Sequence, residues 1–414
     1  MIKRKDHWYM LFGGVGVITL SSLAFFQIPN IVSLSYDAQQ IGGEVSGAME
    51  EKLPVVAHIK TPKPVRAVYM TQCVVGTPSF RSELVKLIDE TELNSVIIDI
   101  KDYSGKLAFI PKDPKLQASV SDKCRASDME TFIKMLHEKD IYVIGRITVF
   151  QDPYYTSVHP ELAVKKASDG SVWKDHKGLS FVDVSARPFW DYIVAIGKES
   201  YAVGFDELNF DYVRFPSDGN MKDIYFSHGT GALKAEALEY FFKYLSEALR
   251  PTGAALSADL FGMITTNTDD LNIGQVLERA LPYFDFIAPM VYPSHYPKGF
   301  NGWTNPNDHV YDVVHFSMAR AVLRTIAPTT SVLGLVHTRI GTTTPVVYGK
   351  PIYDKYALRP WLQDFDYGGD YDIAEVKAQI QATYDAGLDS WMLWSPSNKY
   401  TRGALLSPIP VADN

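Results

Sequence analysis

The sequence predicts an α/β protein whose main body is a (β/α)8 TIM barrel preceded by an N-terminal transmembrane anchor. Between residues 65 and 404, runs with strand character alternate with helix-period segments about eight times, the pattern of a parallel sheet with crossover helices. The stretch Met70 to Ser79, after the first strand, holds only Gly76. A doubly wound dinucleotide fold would place a glycine-rich phosphate turn there. Finally, Lys3, Arg4 and Lys5 precede an almost uncharged stretch from Trp8 to Pro29, whose apolar part is about the 20 residues that span a bilayer as a helix.

The basic cluster is expected on the cytoplasmic side. The segment ends Ala24-Phe25-Phe26-Gln27-Ile28-Pro29, without the small-residue cleavage pattern of a secretory signal, so an uncleaved anchor is favoured over a cleaved one. Either places the remainder outside the cytoplasmic membrane. Residues 30–64 lack sustained periodicity and contain Gly42-Gly43 and Thr61-Pro62-Lys63-Pro64, which reads as a linker or stalk. The expected domains are therefore an anchor over 1–29, a linker over 30–64, a barrel over 65–404 and a tail over 405–414.

Within the barrel, Val65 to Thr71 is the first strand. Ser79 could cap the helix after it, with Leu84, Leu87 and Ile88 at helical spacing. Ser95 to Asp102 is the second strand, with Val96, Ile98 and Ile100 on one face and Asp99 and Lys101 on the other. A helix over 128–139 leads to the third, Ile141 to Phe150, with Arg146 and Thr148 on one face. A polar loop and a helix over 187–201 lead to the fourth, Gly204 to Pro216. There Glu207, Asn209 and Asp211 share one face, and Leu208 and Phe210 lie on the other. Helix 232–249 precedes the fifth strand, Ala255 to Gly262, with Ser257 and Asp259 on one face. Helix 273–281 precedes the sixth, Phe284 to Tyr292, and helix 310–326 follows it. Two stretches, 332–339 and 357–365, compete for the seventh strand. A helix over 374–387 ends in a glycine stop, and Ser390 to Ser395 is the last strand.

The net charge is −8 and the pI about 5.7, so no basic excess is available for nucleic acid. Cys73 and Cys124 could form one bridge or none. Among the ten histidines no His-Glu-x-x-His occurs, and no Gly-x-Ser-x-Gly elbow is present. No metal and no cofactor is expected.

Catalytic groups of such barrels lie at the C-terminal strand ends. Those ends carry acids, a few cations and aromatics. Two carboxylates facing one cleft can cleave a glycosidic bond. Asp211 and Asp259 end consecutive strands, which neighbour each other at about 5 Å, and like charges so close should drive their pKa values apart. They are the expected catalytic pair, which does not by itself say which is the acid. The bland alternative is that Asp259 pairs with Arg214 or Arg146 and holds the barrel mouth together. Glu207, deeper on the Asp211 face, is read as a buried acid paired with Lys101, and as a reserve candidate. Expected substrate contacts are Asp99, Lys101, Arg146, Glu207, Arg214, Tyr292, His295, Trp361, Gln363 and Trp394.

Several motifs occur together and in order. They are Val-Ile-Ile-Asp-Ile-Lys-Asp, Arg-Ile-Thr-Val-Phe-Gln-Asp, Gly-Phe-Asp-Glu-Leu-Asn-Phe-Asp-Tyr-Val-Arg-Phe-Pro, Pro-Met-Val-Tyr-Pro-Ser-His-Tyr, Arg-Pro-Trp-Leu-Gln-Asp-Phe and Trp-Ser-Pro-Ser-Asn-Lys-Tyr. The chain resembles, over about Val65 to Thr401, a bacterial putative glycoside hydrolase family, a TIM-barrel domain formerly of unknown function. The resemblance implies a barrel acting on carbohydrate, often tethered to a membrane or secreted. It also implies that Leu358 to Phe365 is the seventh strand and that 331–356 is an insertion near the site. The function expected is cleavage of an extracellular or cell-wall polysaccharide. A non-catalytic carbohydrate-binding barrel and a polysaccharide deacetylase-type hydrolase are the alternatives.

Overall fold

The computed structural model describes residues 56–229, 231–342 and 344–408. Eight parallel strands close into a barrel in chain order: β1 Arg66–Met70, β2 Ser95–Lys101, β3 Tyr142–Thr148, β4 Glu207–Asp211, β5 Ala255–Phe261, β6 Phe286–Met290, β7 Trp361–Gln363 and β8 Trp391–Trp394. The last strand pairs with the first, Arg66 opposite Trp391. Helices interleave: α1 Pro78–Asp89, α2 Met129–His137, α3 Arg187–Val203, α4 Lys234–Leu249, α5 Leu277–Ala280, α6 Val310–Ile326 and α7 Ile373–Asp385. The molecule is thus a TIM-barrel-like (β/α)8 fold.

The elements follow from local patterning. In α3, Phe189, Trp190, Ile193, Ile196 and Ser200 recur at helical spacing and are buried. The helix stops where Gly204 takes φ +124°, a conformation that favours glycine. In α1, Pro78 occupies the first turn and Thr77 is the N-cap position, so Ser79 lies inside the helix rather than capping it. Asp372 and Glu375 form a capping box on α7.

The seventh strand is Trp361–Gln363, as the family resemblance implied. The region before it holds a small antiparallel sheet, Thr338–Ile340 against Val347–Gly349 against Thr329–Thr330. This insertion is not near the site. Val332 packs with Ala235 and Val276, and the Leu335 amide donates to Glu239 on α4, so it lies on the flank of the barrel. An insertion between a helix and its next strand arises at the N-terminal end of that strand, away from the mouth.

The expected linker is held down over its last nine residues. The Ile59 amide donates to Asp206 at 2.9 Å, and His58 stacks on Tyr201 with centroids 3.9 Å apart. Thr61 and Tyr142 share a hydroxyl hydrogen bond of 2.9 Å. Asp206 and Tyr142 lie at the starts of β4 and β3, so this segment crosses the barrel floor. Cys73 and Cys124, in the loops after β1 and β2, form a disulfide. Among the described residues no helix is long and apolar enough to cross a membrane. The expected span falls outside the described residues.

Candidate active site

Strand parity places Asp99, Arg146, Asp211 and Asp259 at the C-terminal ends of β2, β3, β4 and β5, and all four converge. Arg146 is their hub. Its Nη1 donates to Asp99 Oδ1 at 2.6 Å, and its Nε and Nη2 donate to Asp211. The same Nε stands 3.6 Å from Asp259 Oδ2. Of the two cations that might have held Asp259, only Arg146 approaches it. The Tyr69 hydroxyl, from the end of β1, donates to Asp99.

Three buried carboxyls around one guanidinium cannot all keep a full negative charge cheaply. Burial, together with the field of Asp211, pushes Asp259 up to about 8. Burial lifts Asp99 to about 6, against the pull of Arg146 and the Tyr69 hydroxyl. Burial works against the Arg146 charge, yet Asp211, Asp99 and Asp259 hold its pKa above the ordinary arginine value.

Asp211 and Asp259 therefore differ in kind. Asp211 receives two guanidinium hydrogen bonds and the amide of Tyr212. Tyr212 itself adopts φ +52°, which costs a bulky residue about 1–3 kcal/mol. Asp259 Oδ1 accepts from Trp361 Nε1 at 2.7 Å and Asn209 Nδ2 at 2.9 Å. Burial and Asp211 thus favour the protonated form of Asp259, while three donors converge on Asp211.

Two adjoining cavities open at this mouth. One, of about 450 Å³, is lined by Tyr69, Asp99, Tyr103, Gln151 and Phe181 among others. The second, of about 390 Å³, is lined by Asp211, Asp259, Met290, Tyr292, His295 and Trp361 among others. Arg146, Lys177, Tyr212, Arg214 and Trp394 line both. Trp394 stacks on Tyr292, centroids 5.5 Å apart and planes 27° apart, with Phe365 edge-on. His295 is kept neutral by burial and by Lys177, which lower its pKa.

Three residues expected at the substrate line neither cavity. Lys101 is fully buried and bonds Asp152 at 2.8 Å and the Thr148 carbonyl at 2.6 Å. A register shift between Asp99 and Lys101 is the cause, since a bulge re-aims the side chains beyond it. Glu207 has no lysine partner, because the register sets it level with Ile144 and Ile97, four residues below Lys101. It pairs with Arg359 and accepts from the Tyr142 hydroxyl at 3.1 Å near the barrel floor. Gln363 is buried between the Ser294 hydroxyl and the Phe365 carbonyl. Trp361 reaches the cavity wall, but only 2% of it is exposed, so it holds Asp259 and presents no open ring face.

Tyr69, Tyr212 and Lys177 were missed. Tyr69 was within reach, because it occupies the last interior position of β1 by alternation with Ala67. By alternation Tyr212 falls on the face of Leu208 and Phe210, and the left-handed turn after Asp211 re-aims it. Lys177 sits in an aperiodic loop that carries no such signal.

The fold and this acid-lined mouth define a TIM-barrel domain. The chain belongs to the family described as "Putative glycosyl hydrolase domain", which it matches over residues 67–400. Among solved structures it is similar to the PgaB (BpsB) glycoside hydrolase domain from Bordetella bronchiseptica, at 12% identity over 83% of this chain and 99% of that one, with a TM-score of 0.55. That likeness shows the fold. A hypothetical protein from Ruminiclostridium thermocellum ATCC 27405 is 33% identical over 50% of this chain and 98% of its own, with a TM-score of 0.42. A Flavobacterium johnsoniae chitobiase is 13% identical over 82% of this chain and 47% of its own, with a TM-score of 0.48. No curated protein matches the chain.

Proposed function

We propose that the protein is a glycoside hydrolase that cleaves an extracellular or cell-wall polysaccharide, with Asp259 as general acid and Asp211 as nucleophile. The observation that carries this is one arginine nitrogen shared by two buried carboxyls, at 3.1 Å from Asp211 and 3.6 Å from Asp259, with burial and Asp211 pushing Asp259 up to about 8. Asp259 gives its proton to the glycosidic oxygen as the bond from that oxygen to the anomeric carbon breaks. The bonding pair leaves with the oxygen. Asp211 donates an electron pair to the anomeric carbon and forms a glycosyl ester. Water then adds to that carbon as its bond to Asp211 breaks, the bonding pair returning to the Asp211 carboxylate and the water losing a proton to the now ionised Asp259. The shared nitrogen supports this retaining course, whose carboxyls stand about 5–5.5 Å apart, over the wider spacing that lets an inverting enzyme hold a water.

The 1–29 pattern supports a membrane-anchored domain outside the cytoplasm. So does the Cys73–Cys124 disulfide, since such bonds persist in oxidising compartments.

The test is a reducing-end screen of the protein against wall and exopolysaccharides. On a responsive polymer, Asp211→Asn and Asp259→Asn should each lower kcat by about 10²–10⁴-fold. Unchanged turnover in both variants would overturn the assignment.

A further inference from the structure

Among the described residues most buried cations come with a carboxylate; Lys350 instead donates its ammonium to the Thr325 and Pro351 carbonyls, and Arg214 faces the mouth without an acid partner. Arg81, Arg279 and Arg359 are buried and hold Asp128, Glu239 and Glu207 respectively. Arg214 is only 9% exposed, yet no carboxylate of the described residues lies within 4.0 Å of it. Burying an unpaired charge costs several kcal/mol, and burial indeed lowers the Arg214 pKa.

Its donors are used unevenly. Nη1 donates to the Phe215 carbonyl at 3.0 Å and to Ser217 Oγ at 3.1 Å. The guanidinium is wedged among rings, 4.9 Å from the Phe261 centroid and 5.2 Å from Tyr212. Nε and Nη2 form no hydrogen bond with the described residues, and neither is sealed from solvent. Those two nitrogens make up one edge of the guanidinium fork, the edge that receives a planar carboxylate through two parallel bonds. Arg214 lines both cavities. Lys177 lines both as well and likewise has no carboxylate within 4.0 Å among the described residues. Asp175, which lines one of the cavities, spends Oδ1 on the Lys177 and Leu179 amides, fixing the turn that carries the lysine.

We propose that Arg214, assisted by Lys177, seats the carboxylate of an acidic sugar, so that the substrate is a uronic-acid-bearing polysaccharide. This rests on the glycosidase reading for its polymer and adds the charge of that polymer. A neutral sugar would leave the fork unmatched, and a lysine in place of Arg214 would keep the charge while losing the paired geometry.

The test measures binding of the full chain to polygalacturonate, alginate and hyaluronan, each compared with its carboxyl-reduced, neutral counterpart. Binding is read in an Asp211→Asn background, so turnover does not enter. At least one native polymer should bind about tenfold or more tightly than its reduced form. Arg214→Lys should narrow that ratio and Arg214→Gln should abolish it, with melting midpoints recorded for both. Lys177→Ala, on an exposed turn, should lower the ratio several-fold even if an Arg214 variant fails to fold. Equal binding of native and reduced forms overturns the proposal. So does failure to bind all three native polymers, or cleavage of a neutral polymer as fast as an acidic one by the unmodified chain. Selective binding without cleavage would instead sink the glycosidase reading and leave the carboxylate seat standing.

Discussion

Asp259 is the residue on which pH should act most visibly. With its pKa lifted to about 8 by burial and by Asp211, it is protonated at neutrality and loses its proton above. If it is the acid, turnover should fall by half near pH 8, and a pH–rate profile checks this. Stability should follow the same sign. The folded state holds a proton that the unfolded chain releases near the ordinary carboxyl value of about 4, so the contribution is complete below that value and lost as pH rises through about 8. Asp259→Asn should flatten the alkaline fall in the denaturation midpoint. Neighbouring Tyr212 offers a second check. Tyr212→Gly should relieve the left-handed backbone at φ +52° while removing a ring that lines both cavities, so stability should be retained and substrate affinity should drop. Side-chain alternation is enough to find Asp99, Arg146, Asp211 and Asp259, because parity is rigid along a strand. It misplaces Lys101 because a bulge breaks parity, and it misassigns the partner of Glu207 because alternation gives a face but not a height, and Glu207 lies level with Ile97, four residues below Lys101.

Among the elements, strands and long helices are legible because their apolar spacing is repeated, as in α3 and α6. The helix expected over 273–281 shrinks to Leu277–Ala280, since Gly274 at φ +85° and the turn before it do not continue a helix. The disulfide between the β1 and β2 loops joins residues 51 apart. Closing a loop of that length stabilises by about 4 kcal/mol in the chain-entropy description. Cys73→Ser with Cys124→Ser should therefore lower the thermal midpoint clearly, and reductant should do the same to the unmodified protein. Two isolated cysteines carry no sign of their separation in space, which is why their pairing stayed open until β1 and β2 were placed side by side.

For the whole molecule, barrel closure depends on polar as well as apolar interior groups. Glu207 and Arg359 face each other inside the barrel near its floor, with the guanidinium over the Phe286 ring at 4.0 Å. Glu207→Gln would leave that guanidinium without its anion and should cost about 3–5 kcal/mol, measurable by urea unfolding. The floor segment makes a parallel case. A chain beginning at residue 65 should be less stable than one beginning at 56, because Asp206 would lose the Ile59 amide and Tyr142 would lose Thr61. Aperiodic stretches such as 56–64 give no hint of docking, since their contacts are backbone amides and single hydroxyls rather than a repeated apolar face.

The floor segment also decides how the protein can be handled. The described chain arrives at the barrel's base through 56–64. It departs there too, where Leu406 exchanges hydrogen bonds with Glu92 just ahead of β2. Both attachment points thus share the rim opposite the acids. A bead coupling at residue 56 or 408, the ends of the described chain, should leave the open end unobstructed, so an immobilised 56–408 preparation should bind long polymers as readily as the same preparation free in solution, if the glycosidase proposal holds.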